Sequence, residues 1–144
     1  MIKNIINLGD AAVYCDFGNE IDVKTNTNVI NVFKSVQNSN IEGITNITPS
    51  YNKLIVTFDL DITSFFEIKK NLENLDIKNF EKKDSKIIKI PVCFDKNFSL
   101  DIERLQKKLK LSKEEILEKY LNKDYFCYMT GFIAGMPFLG HVDN

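Results

Sequence analysis

His141 is the one histidine of the chain, and so the one side chain that could act as a base near neutral pH in a Ser/His/Asp or Cys/His arrangement. It stands in residues 125–144, an aromatic run broken by Gly131, Gly135, Pro137 and Gly140. A polar histidine in such a loop is more often simply hydrated. The glycines let backbone turn sharply and approach another group closely. Residues 131–135 lack the Lys-Ser/Thr of a phosphate loop and the third glycine of a dinucleotide fingerprint. Two readings stay open for residues 131–135, with Gly131, Phe132 and Gly135: a backbone-lined cleft or partner contact, and a strand-to-turn corner that needs glycine for geometry; His141 beside them is a binding candidate.

Other candidates are fewer. Asp10, behind Gly9, is either a functional carboxylate or the side chain of an Asx-type turn. Asp59 and Asp61 precede a helical pattern, and N-capping explains them better than metal binding. Cys15, Cys93 and Cys127 are odd in number, far apart and set in apolar runs, without a C-x-x-C pair or a Cys/His cluster. That pattern points to buried thiols in a reducing compartment and to no metal site.

The elements that must position these residues follow from periodicity. Residues 2–8 and 11–17 form a hairpin through Gly9-Asp10, and residues 44–49 and 53–58 form another through Pro49-Ser50-Tyr51-Asn52. Between them, Val29, Phe33 and Val36 recur at helical spacing over residues 25–37, with Asp22 or Thr25 as cap. Ser64 and Glu67 have capping-box spacing ahead of Phe65, Ile68, Leu72 and Leu75. The order β-β-α-β-β-α predicts an α+β, sandwich-like domain with both helices on one face of an antiparallel sheet.

Residues 78–86 are charged and poor in apolar side chains, which marks a boundary after residue 82. Beyond it, residues 87–94 read as a strand with an edge or bulge at Pro91. A helix pair follows, capped by Ser99 and by a Ser112/Glu115 box. Tyr125, Phe126, Tyr128 and Phe132 then read as a strand that buries one face.

Composition narrows the function classes. A chain of 144 residues with 44% hydrophobic content can hold one domain or a domain and part of another. The net charge of −1 and a single arginine, Arg104, argue against nucleic acid or an anionic membrane as partner. The lysines at 107, 108 and 110 are offset by Asp101, Glu103, Glu114 and Glu115, as on a solvated helix face. No stretch has transmembrane length and the start lacks a sustained apolar leader, so a soluble, cytoplasmic protein is expected.

With these residues placed, a resemblance covers nearly the whole chain. Gly9-Asp10-Ala11-Ala12, Phe17-Gly18-x-Glu20-Ile21, Pro49-Ser50-Tyr51, the run 54–58 and Ile90-Pro91-Val92-Cys93 occur in order. They lead to Tyr128-Met129-x-Gly131-Phe132-x-x-Gly135-x-Pro137-x-Leu139-Gly140. Together these resemble the bacterial family that takes in the B-type subunit of 5-oxoprolinase, the sporulation kinase A inhibitor and allophanate hydrolase subunit 1. Ala134 and Met136 depart from the family's usual Pro and Phe but keep the loop apolar.

The resemblance implies an N-terminal α/β domain over residues 1–82. Residues 83–144 would open a cyclophilin-like β-barrel with the helix pair inserted, a barrel that family members complete with further strands. It implies a hydrolase subunit that opens 5-oxoproline with ATP, beside a carboxyltransferase-like subunit and a lactam-utilisation-type subunit, with no tightly bound cofactor and ATP as substrate of the complex. The alternative it implies is an inhibitor that binds a sensor histidine kinase and blocks autophosphorylation. An unfinished barrel would favour a homo-oligomer. No catalytic residue is carried over; the cleft candidates are Gly131, Phe132, Gly135, Pro137, Gly140 and, less directly, Asp10.

Overall fold

The computed structural model describes residues 1–80 and 86–140. They form two units, one of residues 1–80 with 126–140, the other of residues 86–125. The first unit opens with the hairpin β1 (Asn4–Asn7) and β2 (Ala12–Asp16), in antiparallel register with Ile5 opposite Cys15. Gly9, at φ +64°, supplies the positive dihedral that the connection requires.

Helix α1 (Val23–Ser39) is longer than its apolar stripe suggests. Its cap is Asp22, whose carboxylate accepts from the Thr25 N–H at 2.8 Å, and it ends on Asn40 in the left-handed region. β3 (Ile44–Pro49) and β4 (Lys53–Phe58) form the second hairpin, and the strand order is β1-β2-β4-β3. Helix α2 (Phe65–Glu73) starts on the expected Ser64/Glu67 capping box.

Alternation in the strands sends Val13, Cys15 and Phe17 to the same side as Leu54, Val56 and Phe58. Val29, Val32 and Val36 of α1 and Ile68 and Leu72 of α2 close over them in one buried cluster. Both helices therefore cover one face, as the order of elements predicts. The ion pair of Lys53 with Asp16 joins β4 to β2, and the Lys53 ammonium beside Asp16 holds that carboxyl below its usual range, helped by the Gly18 N–H.

Several expectations are corrected. Asp59 does not cap α2; its carboxylate accepts from the Asp61 N–H in the preceding turn, because Ser64 already serves the helix. The Asp10 side chain makes no hydrogen bond among the described residues, so no Asx-type turn forms there.

In the second unit, residues 87–94 are not a strand. Their backbone has no ladder partner among the described residues, and Ile87, Ile88, Ile90 and Val92 are exposed. Helices α3 (Ile102–Leu109) and α4 (Lys113–Leu121) form the expected pair, with no fully buried residue in either. α4 carries the Ser112/Glu115 capping box; α3 is preceded by Asp101, not capped by Ser99. Lys113 Nζ donates to the Phe94 carbonyl at 2.7 Å, and Tyr120 meets Phe94 edge-on at 5.9 Å. No helix among the described residues is long and apolar enough to cross a membrane.

Candidate functional site: a pinned, uncharged hairpin

Residues 125–142 carry no Asp, Glu, Lys or Arg, the longest such stretch in a chain that is 27% charged. Within it, β5 (Cys127–Thr130) pairs antiparallel with β6 (Pro137–Leu139). The register shifts between Cys127 and Met129, leaving Tyr128 as the extra residue of a bulge. A bulge re-aims its side chain, and Tyr128 is accordingly buried while Phe126 and Cys127 stay exposed.

Two residues, Asn26 and Tyr51, fix this hairpin to the sheet and helix of its unit. Asn26 is buried on the inward stripe of α1, and its Nδ2 group donates to the carbonyls of Ser50 at 3.1 Å, Tyr51 at 3.0 Å and Tyr128 at 3.3 Å. Tyr51, in the β3–β4 turn, packs on Tyr128 with ring centroids 5.1 Å apart and meets Phe138 edge-on at 6.4 Å. Its hydroxyl donates to the Leu139 carbonyl at 3.3 Å. On the other side of the same turn, Asn52 Nδ2 donates to the Gly18 carbonyl at 2.9 Å, and Asn52's own carbonyl accepts from the Phe17 N–H at 3.1 Å. Burial, with Asp22 and Tyr51 nearby, pushes the Tyr128 phenol above its ordinary pKa.

Gly140 is needed here for space. A Cβ on it would overlap Cε2 of Tyr128, so the ring lies directly against its backbone. Gly135 is needed for conformation instead, at φ +79° with open space around it.

The sequence candidates are thus brought together in part. Gly131, Phe132, Gly135, Pro137 and Gly140 all lie in the hairpin, its tip running from Gly131 to Met136. Asp10 does not join them: it sits exposed in the β1–β2 turn, next to the Phe58 end of β4, whereas Tyr51 lies beyond the Lys53 end. The strand length puts them roughly 20 Å apart. His141 lies outside the described residues. Phe132, expected in a strand with a buried face, is instead 91% exposed in a turn. Of the three cysteines expected to be buried, only Cys15 is; Cys93 and Cys127 are exposed. Among the described residues no group of three or more His, Cys, Asp or Glu is placed to hold a metal ion.

Sequence reasoning passed over Asn26 and Asn52. Asn26 had a signal: it falls three residues before Val29 on the apolar stripe of α1, where an amide is out of place unless it serves buried carbonyls. The glycine-aromatic signature that this hairpin builds is matched, with the rest of the chain, over residues 3–144 by the model of the carboxyltransferase domain, subdomains C and D. The chain belongs to that family. Within this carboxyltransferase-domain family, the chain is 32% identical to the B-type subunit of 5-oxoprolinase from Bacillus subtilis over 97% of its own length. It spans 63% of the length of that relative.

Among solved structures, TTHA0988 superposes with a TM-score of 0.73 at 23% identity, covering 92% of this chain and 26% of that one. The likeness bears on the fold. The N-terminal domain of the histidine kinase inhibitor KipI from Bacillus subtilis matches 49% of the chain and 79% of its own at 28% identity, with a TM-score of 0.41.

Proposed function

We propose that the chain is a non-autonomous subunit of an ATP-dependent 5-oxoprolinase, a hydrolase complex that opens the lactam of 5-oxoproline to glutamate. The observation that carries this reading is the 32% identity to the B-type subunit of 5-oxoprolinase over almost the whole chain. On this reading the site would be shared with a carboxyltransferase-like subunit and a lactam-utilisation-type subunit. ATP is then a substrate of the complex, and Gly131, Phe132, Gly135, Pro137 and Gly140 are the positions that would face it or a partner.

Residues 83–144 are proposed as the opening of a cyclophilin-like barrel, in which residues 87–94 would gain the strand partner they lack here. Protection of their amides from hydrogen exchange in the assembled complex supports this, and free exchange there counts against it.

Co-expression with the two partner subunits, followed by an assay of ATP-dependent glutamate formation, tests the activity. Turnover that needs all three chains is expected. No turnover under conditions where the Bacillus subtilis relative is active with its own partners overturns the reading. Inhibition of a sensor histidine kinase, the alternative implied by the family resemblance, predicts loss of autophosphorylation at saturating chain.

A further inference from the structure

The loop from β4 into α2 carries apolar side chains that the core does not take up. Leu60, Ile62 and Phe66 are 58%, 55% and 79% exposed, whereas Phe65, beside Phe66, packs against the buried cluster. Exposed apolar residues scattered singly are ordinary, but several on one short, ordered loop mark a contact surface. The loop is held in one shape. The Asp59 N–H donates to the Gly43 carbonyl at 2.8 Å, and the Ile62 and Thr63 N–H groups donate to the Asp59 carbonyl at 3.2 and 3.0 Å. Ile62 and Thr63 lie against Gly43 so closely that a Cβ there would overlap the Thr63 methyl. A surface ordered beforehand loses less entropy on binding.

The charges carried by this end of the sheet are all negative. Asp59, Asp61 and Glu67 belong to the loop and the first turn of α2, and Glu42 precedes the Gly43 on which the loop rests. Asp10 precedes Ala11, whose carbonyl accepts from the Phe58 N–H at 2.9 Å. Residues 8–12, 41–44 and 58–67 hold these five carboxylates and no Lys or Arg, in a chain whose net charge is only −1. None of the five is in an ion pair among the described residues, and Lys69, the first lysine after the loop, pairs with Glu73 instead.

We propose that this end of the first unit docks a cationic amphipathic helix of a partner protein, its apolar face on Leu60, Ile62 and Phe66 and its Lys or Arg side chains among the five carboxylates. The charge selects the occupant, because a neutral or anionic apolar segment would desolvate these carboxylates without pairing them. The backbone selects a helix. β4 is flanked by β2 and β3, so the loop that follows it offers no strand edge, and the incoming segment must satisfy its own backbone hydrogen bonds. The surface lies at the Phe58 end of β4, away from the β5–β6 hairpin, and the inference is independent of the oxoprolinase reading.

Titration of the full chain with a synthetic helix, followed by amide NMR shifts, tests it. The probe is a capped peptide of about 18 residues with Leu along one helical stripe and Lys elsewhere. Shifts are expected to centre on residues 60–67. The Kd should rise about tenfold in Phe66→Ala and again about tenfold in Glu42→Gln/Asp61→Asn. These positions are exposed, so far-UV circular dichroism of the variants should be unchanged. The same peptide with Glu for Lys should not bind, and one with Gly for Leu should bind at least about ten times more weakly, since general attraction of a polycation needs no apolar face. Shifts centred elsewhere, a Kd untouched by Phe66→Ala, or equal binding of the glycine peptide each overturns the proposal. Mass that rises with concentration in the absence of peptide and falls back in Phe66→Ala would make this an interface between copies, and overturns it as well.

Discussion

Asn26 Nδ2 donates to the Tyr128 carbonyl at 3.3 Å, joining residues 102 positions apart in sequence. The same amide serves the Ser50 and Tyr51 carbonyls. One buried side chain thus ties helix α1, the β3–β4 turn and the β5–β6 hairpin together.

Replacing that amide should loosen the hairpin before it unfolds the sheet. Asn26→Asp removes the donor and turns a carboxylate towards three carbonyls, while Asn26→Leu leaves those carbonyls unserved. A loss of about 1–3 kcal/mol is expected from the buried hydrogen bonds. Amide exchange at Met129 and Thr130 should accelerate far more than at Leu54 or Val56. Equal acceleration at all four amides would mean that Asn26 serves the core as a whole.

The two hairpin glycines should fail for different reasons. Gly140→Ala forces Tyr128 off its seat, and a cost of about 1–3 kcal/mol follows from overpacking. Gly135→Ala meets no neighbour and should cost only about 1 kcal/mol of backbone strain. Near-ultraviolet circular dichroism, which reads the packed Tyr51 and Tyr128 rings, should change in the first variant and hold in the second.

Thiol chemistry should divide the cysteines cleanly. Burial pushes the Cys15 thiol up to about 12, and it is shut in the core, whereas Cys93 and Cys127 are exposed. Iodoacetamide on the native chain should modify Cys93 and Cys127, with Cys15 reacting only after denaturant is added. Mass spectrometry of the tryptic peptides reads this directly. Rapid native labelling of Cys15 would contradict the packing of β2.

Acid should weaken the β2–β4 contact. Asp16 has a folded-state pKa below its ordinary value, chiefly through Lys53, so its contribution is fully present above the unfolded value near about 4. It is lost as the pH falls through the lower, folded value. Asp16→Asn should therefore be less stable than wild type at neutral pH, with the gap closing in acid. The pair is partly exposed, so water screens it and the gap should be small. Chemical denaturation at a series of pH values gives the comparison; a gap that widens on acidification would refute the assignment.

What was legible in the sequence was what short range dictates. Ser64 with Glu67 and Ser112 with Glu115 build their capping boxes because every atom involved lies within four residues. The hairpins around Gly9 and Ser50 likewise follow from local turn chemistry and alternating side chains. Family membership was legible too, through ordered landmarks from Gly9 to Gly140.

Residues 87–94 show the limit. Their β-branched composition permits a strand, but a strand exists only when another supplies its hydrogen bonds, and composition does not contain that partner. Phe132 shows it again: an aromatic next to a glycine reads as strand, yet the hydrogen bond from Ile133 to Gly131 turns the ring outward. The seat of the hairpin was decided by Asn26, Tyr51 and Tyr128 meeting across the unit. Sequence alone determined the helices, turns and kinship of this protein, because those depend on neighbours along the chain. Which aromatic is buried, which is presented and which carboxylate stands apart was decided only in the tertiary structure, because hydrogen bonds and packing between distant segments have no local signature.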